Sequence, residues 1–276
     1  VMKKILIPTD FSDNAGDALA YALDYIGNSD ARLHIINAVS VNISNPEAAV
    51  ATSEMTRVYV DNATENMKAL EAMSIMQNKP NIEVTTNVMV GTTAATIKEE
   101  ADAINADLII MGTRGTSHDT MDKFLGTVSS SVLNEAPCPV ILVPRGYQYK
   151  TIDNIIFSTN LNHGDPYELW KALELLKPHA PTVRCVHVVR DDKDKASAEV
   201  EQFAKYMVEK SSSSETIFNI EKGRHIEEIL EKYAEDYEAE MIVMHREKKS
   251  LWSKILGSSH TKRMSSIMRV PLMVIN

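Results

Sequence analysis

The chain has 276 residues, enough for two domains of about 140 residues each, and its 44% hydrophobic and 24% charged content is that of an ordinary folded protein. With 38 acidic against 29 basic side chains the formal charge is −9, so no broad basic field exists for nucleic-acid phosphates. Any anionic ligand must then be held by local amides and helix dipoles.

Lys3 and Lys4 lead into the apolar strand Ile5-Leu6-Ile7, which ends in Pro8-Thr9-Asp10-Phe11-Ser12. Ala15, Ala18, Leu19, Ala22, Leu23 and Ile26 then form a helical stripe, with Ser12 or Asp13 available as its cap. Leu33 to Val39 reads as the second strand. The insertion Ser40 to Asn81 follows, helical in pattern after Asn45-Pro46, with Met55, Met67, Met73 and Met76 along it beside Val58, Leu70 and Ile75. Methionine is the usual filler of core gaps, so this helix is expected to pack on its domain, a partner surface being the alternative. Ala94, Ile97, Ala101 and Ile104 stripe the next helix, and Leu108 to Met111 reads as a buried parallel strand. Beyond Gly126 a helix places Val128, Val132 and Ala136 on one face, and Pro139-Val140-Ile141-Leu142-Val143 closes the half.

The pattern then repeats. Ile155-Ile156-Phe157-Ser158-Thr159-Asn160 stands 150 positions after Ile5-Leu6-Ile7-Pro8-Thr9-Asp10, and Val183 to Val189 keeps that offset from Leu33 to Val39. Asp165-Pro166 opens a helix whose stripe is Leu169, Ala172, Leu173 and Leu176; Ile226, Ile229, Leu230 and Tyr233 stripe a later one. Gly91 corresponds to Gly223, Asp107–Met111 to Glu240–Met244, and Pro139–Val143 to Pro271–Ile275. The alternation of strand and helix in each half predicts a parallel sheet covered on both faces. The expected division is residues 1–145 and 152–276, with 146–151 as linker.

The segment Met111 to Val132 carries the most specific chemistry. Glycines between a buried strand and a helix start let backbone approach a ligand, and the new helix offers unpaired N–H groups and a positive dipole end to an anion. The segment resembles the nucleotide loop of the universal stress protein family, in which Gly, two residues, Gly, nine residues and Gly precede Ser or Thr. Gly112, Gly115, Gly126 and Thr127 fill those positions, although ten residues, Thr116 to Leu125, lie where the pattern has nine. Pro8-Thr9-Asp10 likewise resembles the end of the family's first strand.

The resemblance implies two tandem α/β Rossmann-like domains, each an open five-stranded parallel sheet of order 3-2-1-4-5, and ATP or a related adenine nucleotide bound by the first. On that basis Asp10 lies near the adenine and ribose, Val39 walls the base, and Gly112 and Gly115 let the ribose and phosphates approach. Gly126, Thr127, Val128 and Ser129 hold phosphate oxygens, with Pro8, Thr9, Met111 and Arg114 around them. Mg2+ or Mn2+ could bridge the phosphates, whose oxygens are hard ligands. Taken singly, Asp10 is an ordinary turn residue and Gly-x-x-Gly an ordinary turn; their coincidence at two strand ends carries the reading. The family also implies antiparallel pairing of fifth strands, here Val140–Val143 with Leu272–Ile275 as an intrachain pseudo-dimer, with further homo-oligomers open.

The second half departs from the motif: Asn160 stands for Asp10, His245 for Gly112 and Lys248 or a neighbour for Gly115. It is expected not to bind ATP, although Gly257, Ser258 and Ser259 could take a lone phosphate or sulfate, with Lys262 nearby. His163, His187, His245 and His260 match no zinc spacing, so no metal site is assigned. Cys138 and Cys185 read as buried free thiols.

No P-loop, nucleophile elbow or histidine-glycine-histidine signature occurs, so the expectation is a regulatory stress-response protein and not an enzyme. Arg114, His118, Asp119 and Asp122 leave slow ATP hydrolysis as one alternative. A nucleotide-free interaction module with an unknown protein partner is the other. No apolar run approaches a membrane span and no signal peptide is evident, so the cytoplasm is the expected location.

Overall fold

The computed structural model describes residues 2–40, 49–76, 80–114, 125–189, 197–211, 214–246 and 269–275. They belong to two compact units, the first ending at Gly146 and the second beginning at Tyr147.

The first unit runs β1 (Lys3–Pro8), α1 (Asp13–Ile26), β2 (Ala31–Val39), α2 (Ala49–Met76), β3 (Ile82–Val90), α3 (Thr93–Ile104), β4 (Leu108–Gly112), α4 (Thr127–Glu135) and β5 (Val140–Val143). Its strands are all parallel, in the order β3-β2-β1-β4-β5. Helices cover both faces of such a sheet, which is why the central strands are apolar throughout rather than alternating: Ile5, Leu6, Ile7, Leu108, Ile109 and Ile110 are all buried. The stripe anticipated on α1 is buried along its whole length, and the Ser12 hydroxyl caps the helix by accepting from the Ala15 N–H at 3.2 Å.

The second unit comprises β6 (Asn154–Thr159), α5 (Asp165–Leu175), β7 (Thr182–Val189), α6 (Ser197–Lys210), β8 (Thr216–Lys222), α7 (Ile226–Asp236), β9 (Met241–His245) and β10 (Leu272–Ile275). Its strands are again parallel, in the order β8-β7-β6-β9-β10, so both units have the 3-2-1-4-5 order. The duplication extends to single atoms. Asp107 accepts from the Lys4 N–H and Glu240 from the Asn154 N–H, each at 2.8 Å. The Gly91 N–H donates to Val39 and the Gly223 N–H to Val189, each at 3.0 Å. Phe11 and Leu161 both take positive φ, 62° and 58°, just beyond the first strand of each unit. In each case a threonine hydroxyl accepts the strained residue's N–H, Thr9 for Phe11 and Thr159 for Leu161.

The methionine helix departs from expectation in part. Met67 and Ala63 are buried, but Met55, Val58 and Tyr59 are more than half exposed, so α2 packs at its middle and leaves these three to solvent; the side chains of Met73, Ile75 and Met76 lie outside those described. Cys138 and Cys185 are buried and free; burial pushes the Cys138 thiol up to about 12 and the Cys185 thiol well above its ordinary value, which makes both unreactive. Tyr147 donates to the Glu240 carbonyl and Ile152 is fully buried, so the segment after Gly146 already lies against the second unit. Among the described residues no helix is long and apolar enough to cross a membrane.

Candidate functional site

In the first unit β1 lies between β2 and β4, and the crossovers leave it in opposite directions, which opens a crevice at the carboxyl ends of these strands. A cavity of about 210 Å³ occupies that place. At ~30 Å³ per water it is far larger than a hydration site. Pro8, Thr9 and Asp10 line it from β1, Met111, Gly112 and Arg114 from β4 and beyond, and Gly126, Thr127, Val128 and Ser129 from the start of α4. The structure thus gathers ten of the sequence-predicted residues around one space. Gly115 lies outside the described residues, as do His118, Asp119 and Asp122.

Val39 is a correction. It is buried but does not line the cavity, where Ile36, Asn37 and Ala38 form the β2 wall. The reason is its place at the last position of the strand, where its carbonyl anchors the turn into α3 through Gly91. The opposite wall comes from α3: Thr93 and Ile97, neither foreseen as site residues.

Gly112 is a glycine for a reason other than ligand approach. A Cβ there would lie 2.7 Å from the Asn14 Cγ and 2.9 Å from the Asn14 carbonyl oxygen, so its bare backbone makes room for α1. Asn14, only 4% exposed, fastens this corner. Its Nδ2 donates to the Val143 carbonyl at 3.1 Å, and its Oδ1 accepts from the Thr113 hydroxyl at 3.1 Å and the Arg114 N–H at 3.0 Å. One amide therefore ties α1 to β5 and to the chain leaving β4.

Two of the expected phosphate donors are committed within the protein. The Gly126 N–H donates to the Thr113 carbonyl at 3.0 Å, and the buried Ser129 hydroxyl is directed to the Gly112 and Thr113 carbonyls, both at 3.1 Å. A hydroxyl has one proton to give, so Ser129 serves to clamp α4 against the end of β4. The N–H groups of Thr127 and Val128 have no acceptor among the described residues, as first-turn amides of a helix do, and they face the cavity with the dipole behind them. Gly126 itself is extended at φ −63°, and a Cβ there would find nothing closer than 3.7 Å.

The cavity therefore has linings of different chemistry. Ile36, Ala38 and Ile97 contribute apolar surface and Asn37 an amide, while Thr127 and Val128 line it from the helix start. Asp10 stands at the end of β1, where its Oδ1 accepts from the Ser12 N–H at 3.1 Å and so fixes the carboxylate on the turn. An apolar slot, a carboxylate and a helix N-terminus are the elements an adenosine phosphate needs.

The corresponding corner of the second unit is built differently. His245 occupies the position of Gly112, and its Nδ1 lies 3.0 Å from Oδ1 of Asp165, a carboxylate 1% exposed at the start of α5. The other oxygen of Asp165 accepts from the Thr159 hydroxyl at 2.6 Å and from the Asn160 and Asn162 N–H groups at 3.1 and 3.3 Å. Burial by itself would raise the Asp165 carboxyl, but the hydrogen bonds from His245 and Thr159 and the charge of His245 hold it below the usual carboxylate range. His187, in the place of Asn37, bonds through Nδ1 to the Thr159 carbonyl at 2.9 Å. Side chains thus stand where the first unit has bare backbone. His163 is exposed on the loop after β6, and among the described residues no cluster of three metal-ligating side chains exists. Gly257, Ser258, Ser259, Lys248, Lys262 and His260 lie outside the described residues.

Sequence reasoning passed over Asn14 and Asn37. Each left a signal, a polar side chain on an otherwise apolar helix stripe or inside an otherwise apolar strand run.

A family model described as the universal stress protein family matches residues 2–144. A universal stress protein of Methanocaldococcus jannaschii is 31% identical over 144 residues, covering 52% of this chain and 82% of that protein. One from Synechocystis sp. is also 31% identical over 144 residues, covering 52% and 87%. Among solved structures, a universal stress protein from Archaeoglobus fulgidus superposes with a TM-score of 0.75 over 99% of this chain and 98% of that one, and at 19% identity this is a likeness of fold. The family match spans just over half the sequence and takes in the whole first sheet with its crevice: the chain belongs to the universal stress protein family.

Proposed function

We propose that the first unit binds ATP or a related adenine nucleotide, and that the protein is a regulator whose state is set by that occupancy. The observation that carries this reading is the crevice at the ends of β1, β2 and β4, into which the unpaired N–H groups of Thr127 and Val128 open. The phosphates would accept from those amides at the positive end of α4, and the base would lie against Ile36, Ala38 and Ile97. Asp10 would accept from a ribose hydroxyl. Mg2+ or Mn2+ would travel with the phosphates, to which it adds charge neutralisation.

The reading extends to one nucleotide per chain, supported by the paired side chains of Asp165 and His245 at the corner where the first unit has Gly112. It also includes intrachain pairing of Val140–Val143 with Leu272–Ile275, tested by the yield of a disulfide between cysteines introduced into the two strands. Binding without turnover in the cytoplasm completes it.

Calorimetric titration of the protein with ATP and Mg2+ tests the central claim. One site per chain, weakened at least tenfold by Asp10→Ala, is expected; no heat up to millimolar ATP would overturn it. Phosphate release above the level of the Asp10→Ala protein would instead favour slow hydrolysis. The exposed Met55, Val58 and Tyr59 on α2 support a second reading, a nucleotide-free interaction module, which a failure of ATP to bind would favour.

A further inference from the structure

Asn37 stands in the apolar run Ile35-Ile36-Asn37-Ala38-Val39, and it is 8% exposed where it lines the crevice. A polar side chain at such a place needs partners, and one end of its amide has one: Nδ2 donates to the Thr9 carbonyl at 2.8 Å. A carbonyl oxygen can only accept, so the end facing Thr9 is the nitrogen and the orientation of the amide is determined. Oδ1 therefore takes the other side. Among the described residues no group donates to it, and it stays accessible from the crevice. The crevice it lines has apolar members in Ile36, Ala38 and Ile97 and polar ones in Thr9, Asp10 and Thr93.

An acceptor of fixed orientation in a partly apolar crevice suits a flat ring that bears an amino group. We propose that Asn37 determines base selectivity: its Oδ1 accepts from the exocyclic amino group of a purine lodged against Ile36, Ala38 and Ile97. A 6-amino purine nucleotide is then preferred over a 6-oxo one, whose oxygen would face Oδ1 acceptor to acceptor. The remaining Nδ2 proton adds a donor beside that acceptor, the combination with which asparagine recognises adenine. A site built to pair a substrate N–H discriminates against an analogue that lacks it because the buried acceptor is left unpaired. The assignment rests on the nucleotide reading of the same crevice.

The second unit offers a comparison. His187 occupies the equivalent strand position and donates from Nδ1 to the Thr159 carbonyl at 2.9 Å, which leaves Nε2 of the neutral ring as an acceptor, so a histidine would not remove the acceptor. The experiment is calorimetric binding of ATP and of inosine triphosphate, which differ at position 6, to the full chain and to its Asn37→Ala and Asn37→Leu variants, neither of which has an acceptor at this place. The wild-type protein is expected to prefer ATP roughly tenfold. In both variants the ratio should fall towards one, through weaker ATP binding, and Asn37→Leu, closer in size, carries the test if Asn37→Ala does not fold. A preference retained in a folded variant overturns the assignment. Equal affinities in the wild type overturn it and leave the nucleotide reading standing, whereas no binding of either triphosphate overturns both.

Discussion

The two units share a strand order, a strained residue after the first strand and a glycine anchoring the third helix, yet their carboxyl edges have gone separate ways. In the first, Gly112 gives up a side chain so that Asn14 can tie α1 to β5, and the space beyond stays open. In the second, His245 stands at that point and a buried carboxylate, Asp165, replaces the neutral amide as the fastening. The lesson is that the corner must be tied in either case. The first unit uses a neutral knot beside bare backbone at an open crevice, and the second a charged knot made from side chains.

This comparison can be tested by cutting each knot. The largest effect is expected from Asp165→Ala, which strips His245 and three other donors of their acceptor and should cost the second unit about 3–5 kcal/mol. Both tryptophans, Trp170 and Trp252, belong to the second half, so urea unfolding followed by tryptophan fluorescence reads this unit. The same carboxylate predicts a pH dependence. Its folded pKa is lowered, so its stabilisation is complete above the unfolded value of about 3.9 and is lost as pH falls through the folded value. Acid should thus erode wild-type stability below about pH 4 more steeply than that of Asp165→Ala, and parallel acid profiles would refute the charged knot.

Next in size is Gly112→Ala. The new Cβ would meet the Asn14 backbone oxygen at 2.9 Å, which cannot move aside as a flexible side chain could, and a penalty of about 1–3 kcal/mol is expected. Hydrogen exchange of the β4 amides should accelerate, and ATP affinity should fall with it. Ser129→Ala should cost about 1 kcal/mol by releasing α4 from the Gly112 and Thr113 carbonyls, read by the same exchange measurement. Smallest is Gly126→Ala, within about 0.5 kcal/mol, because φ is −63° and the nearest atom is 3.7 Å away. A large loss of stability there would show that Gly126, and not Gly112, is the sterically required glycine.

Much of the fold was legible because hydrophobic periodicity is local. The stripes on α1 and α5 are buried where the spacing placed them, and the repeat at an offset of 150 became two units of one strand order. The gathering of Asp10, Gly112 and Gly126 at one crevice was also readable, since strand ends in an open parallel sheet converge. Side-chain roles were less so. Val39 fell outside the lining, and the Ser129 hydroxyl and Gly126 amide turned inward to protein carbonyls. The methionine helix packed through Met67 while Met55 stayed exposed, a division its uneven pattern did not reveal.

The sequence by itself determined the two α/β units, the family resemblance and the inequality of the halves, because each is written in residue spacing or in the presence of a side chain where glycine is needed. Only the tertiary structure decided which polar groups remain available to a ligand. A hydrogen bond such as Asn14 to Val143 joins residues 129 positions apart, and whether a donor is committed or open depends on what the fold brings within about 3 Å of it.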